Sequence, residues 1–160
     1  MDRADLAVEQ WARERPDLRT LPMAIFGRLS EAAERATREH MNPLFARAGL
    51  QAGEFDVLAT LRRSGEPFTL SPTQLYEAAM ISSGGMTDRL DRLERAGLVV
   101  RRPDPKDRRG KMIVLTDPGK RLIDEAIGRH VANEERLLLS LNQAEQETLN
   151  ALLKKLIAGL

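Results

Sequence analysis

Residues 75–119 read LYEAAMISSGGMTDRLDRLERAGLVVRRPDPKDRRGKMIVLTDPG, and a change of period inside this stretch decides the fold. Up to Ala96 the apolar residues recur at helical spacing, first Leu75, Ala78 and Ala79, then Met86, Leu90 and Leu93. The first helix opens just upstream at Ser71-Pro72, a hydroxyl cap followed by proline at the first helical position. Met80-Ile81 forms a tight turn, and Ser82 caps a second helix that runs to about Ala96 and stops at Gly97. Two short helices joined by a tight turn make a helix-turn-helix unit. Beyond Gly97 the runs 98–102 and 111–115 are short and rich in β-branched residues, which predicts two strands. Between them the turn-rich, cationic segment 103–110 makes a long charged hairpin tip. The expected class is mostly α with a small β-hairpin wing, a winged helix-turn-helix.

The flanks are helical. Residues 5–15 form a short amphipathic helix, with Leu6 and Trp11 near one face and Pro16 ending it. Leu21, Ile25, Leu29, Ala32, Ala33 and Ala36 space a second helix, which Pro43 is expected to break or kink. A short helical turn over 42–50 ends near Gly49, and 51–63 is helical with Phe55, Leu58 and Leu61 as its stripe. Thr116-Asp117-Pro118-Gly119 reopens helix, and long helical patterns cover 121–141 and 143–158. The expectation is one domain over 1–160, with an extra N-terminal helix in 1–16 and the DNA-reading part in 51–119.

Net charge is only +1, from 25 Lys and Arg against 24 Asp and Glu. Its distribution says more. Segment 86–111 holds nine cations (89, 92, 95, 101, 102, 106, 108, 109, 111) and five acids (88, 91, 94, 104, 107), or +4, leaving −3 elsewhere. Such a stripe fits a duplex-binding element, and equally a solvated helix face. The absence of cysteine excludes disulfides, Cys-ligated zinc and a thiol redox sensor. No apolar run approaches the roughly 18 residues of a membrane span, and the N-terminus lacks a signal peptide's apolar stretch, so the cytoplasm is expected. HExxH, GxSxG and a phosphate loop are all missing, so no catalytic residue, metal or cofactor is expected. His40 and His130 read as ordinary helix-surface or interface residues, and Met23, Met41, Met80, Met86 and Met112 as core filler.

A helix fits the major groove, where each base pair shows a distinct donor and acceptor pattern. The candidate reading helix presents Ser82, Ser83, Gly84, Gly85, Thr87, Asp88 and Arg89 in its first turns. Small and hydroxylated residues there allow close backbone approach, and the helix N-terminus favours a phosphate. Arg92, further along, pairs either with phosphates or with neighbouring carboxylates. An arginine on the projecting tip suits the minor groove, and Asp107 is spaced to orient Arg109 through a bidentate pair. Ser71, Thr73, Arg108 and Lys111 complete the candidate DNA-contacting set.

DRLERAGLV followed by DPKDRRGKMIVLTDPG closely resembles the winged-helix core of MarR-type transcriptional regulators, and the flanking helices extend the resemblance over nearly the whole chain. The resemblance implies a homodimer built by helices in 20–50 and 120–160, a pseudo-palindromic double-stranded DNA operator, and control by a small anionic or aromatic effector. It assigns Asp107 and Arg109 to the wing's aspartate and minor-groove arginine. The N-terminal helix with Trp11, EFDVLATLRRSG and SSGGMTDRLDRLE further resemble the urate-responsive branch of that family, the HucR, MftR and PecS type. In that branch a Trp, an Asp and two Arg form the ligand site, here Trp11, Asp56, Arg63 and Arg89. Asp56 and Arg63 lie seven residues apart on one helix face, about 10 Å of rise. Two guanidinium forks suit a planar urate-like or related purine anion, and an indole stacks on it. The plainer readings are a core anchor for Trp11 and unrelated surface charge for Asp56 and Arg63. If Arg89 serves both effector and operator, effector binding competes with the DNA-bound geometry. The expected function is a ligand-responsive repressor, repression resting on family habit alone. The competing expectation is an effector-independent activator or architectural DNA-binding protein.

Overall fold

The computed structural model describes residues 1–80, 85–105, 107 and 110–160. By internal contacts the chain divides into two compact units, Met1–Pro43 and Leu44–Leu160.

The N-terminal unit contains α1 (Arg3–Glu14), α2 (Leu21–Arg35) and a π-helical stretch, Ala36–Met41. Asp2 caps α1 reciprocally. Its side chain accepts from the Asp5 amide at 2.8 Å, and its own amide donates to Asp5 at 3.0 Å. Arg28 of α2 then reaches both carboxylates, at 2.8 Å to Asp2 and 2.5 Å to Asp5. Small residues set the packing, with Ala4 and Ala24 buried between the two helices. Of the break or kink expected from Pro43, the structure shows no break in the helical run. The wider π-helical turn precedes it, the Asn42 amide bonds back to Thr37, and α3 (Asn42–Arg47) follows at once, with the proline in its first turn.

The second unit holds the core. It comprises α3 from Leu44 onward, α4 (Ala52–Arg63), β1 (Thr69–Leu70), α5 (Pro72–Ala78), α6 (Met86–Arg95), β2 (Val99–Pro103), β3 (Lys111–Leu115), α7 (Asp117–Leu137) and α8 (Gln143–Ile157). Val57, Leu58 and Leu61 of α4 meet Leu75 of α5, Leu90 and Leu93 of α6, Val99, Ile113 and Ile123, all buried. The antiparallel sheet runs β1-β3-β2, with Val99 opposite Leu115 and Pro103 opposite Lys111. Among the described residues β1 is a third strand that two residues of sequence did not announce. Phe45 and Phe55 stack at 4.3 Å, and the His130 ring lies 4.9 Å from Phe55. His130 is therefore largely buried, with its Nε2 3.1 Å from Glu134. Of the methionines expected in the core, Met23 and Met80 are exposed.

One glycine is dictated by close approach. Thr116 caps α7 by accepting from the Gly119 amide, and its amide donates to the Leu98 carbonyl at 3.1 Å. A Cβ on Gly119 would stand 2.1 Å from that same carbonyl oxygen. This contact seats α7 against the turn between α6 and β2.

Candidate nucleic-acid interface and effector residues

The first helix of the helix-turn-helix is α5. Ser71 uses its hydroxyl to cap it, accepting from the Gln74 amide at 3.2 Å, while Gln74 accepts in return from the Ser71 amide at 2.9 Å. Thr73 stays exposed in the first turn. The expected cap of the second helix, Ser82, lies outside the described residues with Ser83 and Gly84. The α6 helix begins at Met86, preceded by Gly85 in the left-handed region at φ 79°. Leu90 and Leu93 bury one face, while Thr87 and Asp88 face out. In the hairpin, Asp107 and Lys111 are exposed, the Asp107 carbonyl accepts from Gly110 at 2.9 Å, and Arg108 and Arg109 lie outside the described residues.

Two cations of α6, Arg92 and Arg89, lie against α4. Arg92 points inward. Its Nε donates to Glu54 Oε1 of α4 at 2.6 Å and its Nη2 to Gln51 Oε1 at 3.1 Å. Glu54 is buried, and its second oxygen accepts from the Gln51 amide at 2.8 Å. Of the two roles open to Arg92 in the sequence, the carboxylate partner is the one the structure supplies. Arg89 lies over the first turn of α4. A Cβ on Gly53 would come within 2.3 Å of its Nε, so the space this guanidinium occupies exists because residue 53 has no side chain.

Three of the four residues assigned to an effector converge on the elements that carry α6. Asp56 accepts from the Met80 amide at 2.9 Å, and Arg63 Nη2 donates to the Ala78 carbonyl. Both side chains of α4 thus hold segment 78–80, the last residue of α5 and the two that follow it. They are neither paired with each other nor idle surface charge. Trp11 belongs to the N-terminal unit and is 41% exposed, so it is not a buried anchor of that unit.

Sequence reasoning missed two groups. Gln51 and Glu54 have the spacing of a capping box, a legible signal. The second group, Asp91, Glu94 and Arg101, joins α6 to β2. Arg101 Nη2 donates to Asp91 at 2.6 Å, Nη1 to Glu94, and the Arg101 amide to Glu94 Oε1 at 3.0 Å. Foremost the Arg101 amide, then its guanidinium, hold the Glu94 carboxyl below the usual glutamate range. Among the described residues no group of His, Cys, Asp and Glu is arranged to hold a metal.

Residues 48–110 match the model of the MarR family. The transcriptional regulator PecS of Dickeya dadantii is 44% identical over 146 residues, which is 91% of this chain and 87% of PecS. The crystal structure of Sco3205, a MarR family regulator from Streptomyces coelicolor in complex with DNA, aligns at TM-score 0.79 with 25% identity, covering 89% of each chain. BpsR of Bordetella bronchiseptica, whose DNA binding is regulated by 6-hydroxynicotinic acid, aligns at TM-score 0.69 with 26% identity over 82% of this chain and 97% of its own. Identity of this extent to PecS, together with the family match over residues 48–110, shows that the chain belongs to the MarR family of helix-turn-helix transcriptional regulators.

Proposed function

We propose that this protein is a ligand-responsive, DNA-binding transcriptional regulator, working in the cytoplasm as a homodimer on a pseudo-palindromic operator, which a small planar anion of the urate type releases. The observation that carries the reading is the double hold of α4 on segment 78–80, through Asp56 and Arg63, directly ahead of the reading helix. Arg89, on α6 itself, rests against the same α4 helix at Gly53.

An anion that recruits Arg63 and Arg89 withdraws them from these positions, and its charge repels Asp56. Segment 78–80 loses its fastening and α6 loses its orientation. A ligand that binds the released arrangement better than the docked one shifts the population away from operator binding by that difference in affinity. Trp11, which the resemblance assigns to the effector, has a half-exposed ring suited to stacking. The DNA-bound relative Sco3205 and the effector-regulated relative BpsR support the two halves of this reading. Similarity to PecS supports the urate-type branch.

Dimerisation is supported by apolar surface. Leu21, Ile25 and Phe26 are exposed on α2, as are Val131, Leu149, Leu152 and Ile157 on α7 and α8, and α8 buries none of its residues in the single chain. A second copy is the partner these faces suit, as cyclic dimers pair the same patch on both chains. No helix among the described residues is long and apolar enough to cross a membrane.

The test uses Trp11, the sole tryptophan. Titration with urate, xanthine and hypoxanthine, with salicylate as an outgroup, is expected to quench its fluorescence and to release bound operator over the same concentration range. Arg63→Ala is expected to lose that response, while operator binding persists at reduced affinity on the remaining Asp56 fastening. A flat titration with every ligand, beside normal DNA binding, overturns the effector half and leaves an effector-independent regulator.

A further inference from the structure

We propose that Arg101 is a positioning residue that locks the wing to the reading helix, so that α6 and the β2–β3 hairpin meet DNA as one rigid body. The inference rests on the DNA-binding reading above.

The lock follows from strand alternation. Residues 99 and 101 share one face of β2. Val99 is fully buried on that face, and Arg101 is the next side chain on it. Asp91 and Glu94 lie three apart on α6, hence on one side of the helix. The guanidinium spans both carboxylates, at 2.6 Å to Asp91 and in contact with Glu94, while the Arg101 amide donates to the other Glu94 oxygen at 3.0 Å. Glu94 thus commits both oxygens to one residue of the hairpin. Fork geometry makes such bonds directional as well as attractive.

What the lock constrains is orientation. The turn between α6 and β2 is closed by backbone bonds from Gly97 to Glu94 and from Leu98 to Leu93, each 2.9 Å. Val99 anchors the base of the strand in the core. Further out, Arg101 ties the strand to α6 itself. It pairs with Ile113 in the hairpin register, two rungs from the Pro103–Lys111 pair where the tip begins. Fixing Arg101 fixes the rung, and through it the distance of the Pro103–Lys111 rung from α6. A reader that inserts a helix in one groove and a loop in the next gains from the second contact only if that distance is preset. Otherwise the cost of ordering the loop falls on the binding step.

The experiment begins without an operator sequence. Duplexes are selected from a random-sequence library with the wild-type protein, and the best one is labelled. Affinities are then measured for wild type, Arg101→Gln, Arg109→Ala and the double variant, with hydroxyl-radical footprints. Arg109→Ala is expected to weaken wild-type binding about tenfold, but to cost less than about threefold in the Arg101→Gln background, because an unlocked wing no longer contributes. The footprint of Arg101→Gln is expected to lose wing protection while the helix protection stays. An Asp91→Asn, Glu94→Gln variant keeps the arginine and should behave in the same way, which covers the case where Arg101→Gln folds poorly. Equal penalties for Arg109→Ala in both backgrounds, with an unchanged footprint, overturn the lock and leave DNA binding standing. Failure of wild type to enrich any duplex overturns the DNA-binding reading itself, and the lock with it.

Discussion

Arg92 of α6 donates its Nε to Glu54 of α4 at 2.6 Å, and Glu54, with only 8% of its side chain exposed, is one of two buried polar residues among those described. A carboxylate removed from water this far is held by its partners: Arg92 on one oxygen and the Gln51 amide on the other. Removing it strands an arginine and uncaps α4 together. Glu54→Ala is expected to cost about 2 kcal/mol, below the range for fully buried pairs because Arg92 is partly solvated. Urea unfolding checks this, and an unchanged midpoint refutes it.

Gly119→Ala puts a methyl 2.1 Å from the backbone carbonyl of Leu98. No flexible side chain is there to give way, so α7 must move off the α6–β2 turn. The expected loss is about 3 kcal/mol, the upper end for overpacking. Thermal unfolding reads it, and a loss under about 0.5 kcal/mol shows the contact to be slack.

Gly53→Ala behaves differently, because the group it meets is the far end of Arg89. That side chain is able to swing aside, and alanine is the better helix former by about 1 kcal/mol. Stability should hold or rise slightly. The effector midpoint should fall severalfold, because Arg89 is already displaced from the docked position that the effector must otherwise undo, which Trp11 fluorescence would report. An unaltered effector midpoint separates Gly53 from the switch.

Acid should release the wing lock late. The Arg101 amide, then its guanidinium, hold the Glu94 pKa below its ordinary 4.5. The folded value lies under the unfolded one, so this contribution is complete above about 4.5 and fades as pH falls through the depressed value. Asp2 follows the same sign against 3.8, held down first by Arg28 and then by the Asp5 amide. Carbon-detected NMR titration of the two carboxyls should place both midpoints below those values. A Glu94 midpoint at or above 4.5 contradicts the geometry.

Most of the fold is legible in the sequence because periodicity and caps are local. Ser71-Pro72, Gly97 and Thr116-Asp117-Pro118-Gly119 punctuate the chain where the elements start and stop. What resists reading is set by contacts distant in sequence. The two-residue strand β1 is too short to show alternation and exists because β3 offers Ile113 and Val114 as partners. The ring of Pro43 alone argues for a break, yet the π-helical turn before it supplies the room. Asp56 and Arg63 are visible as one helix face, but that they hold segment 78–80 depends on where α5 ends. In the sequence Arg101 is one more cation in a basic stripe, because its partners are brought to it only by the fold.

That pairing changes how the stripe itself counts. Of its nine cations, Arg92 and Arg101 are already balanced by Glu54, Asp91 and Glu94. Neutralising a phosphate releases about 0.9 counterion, so only cations left over for DNA contribute to the salt slope of binding. Arg92 of α6 and Arg101 of β2 then add little ionic-strength dependence. The salt slope of operator binding is therefore smaller than a count of the stripe's nine cations implies.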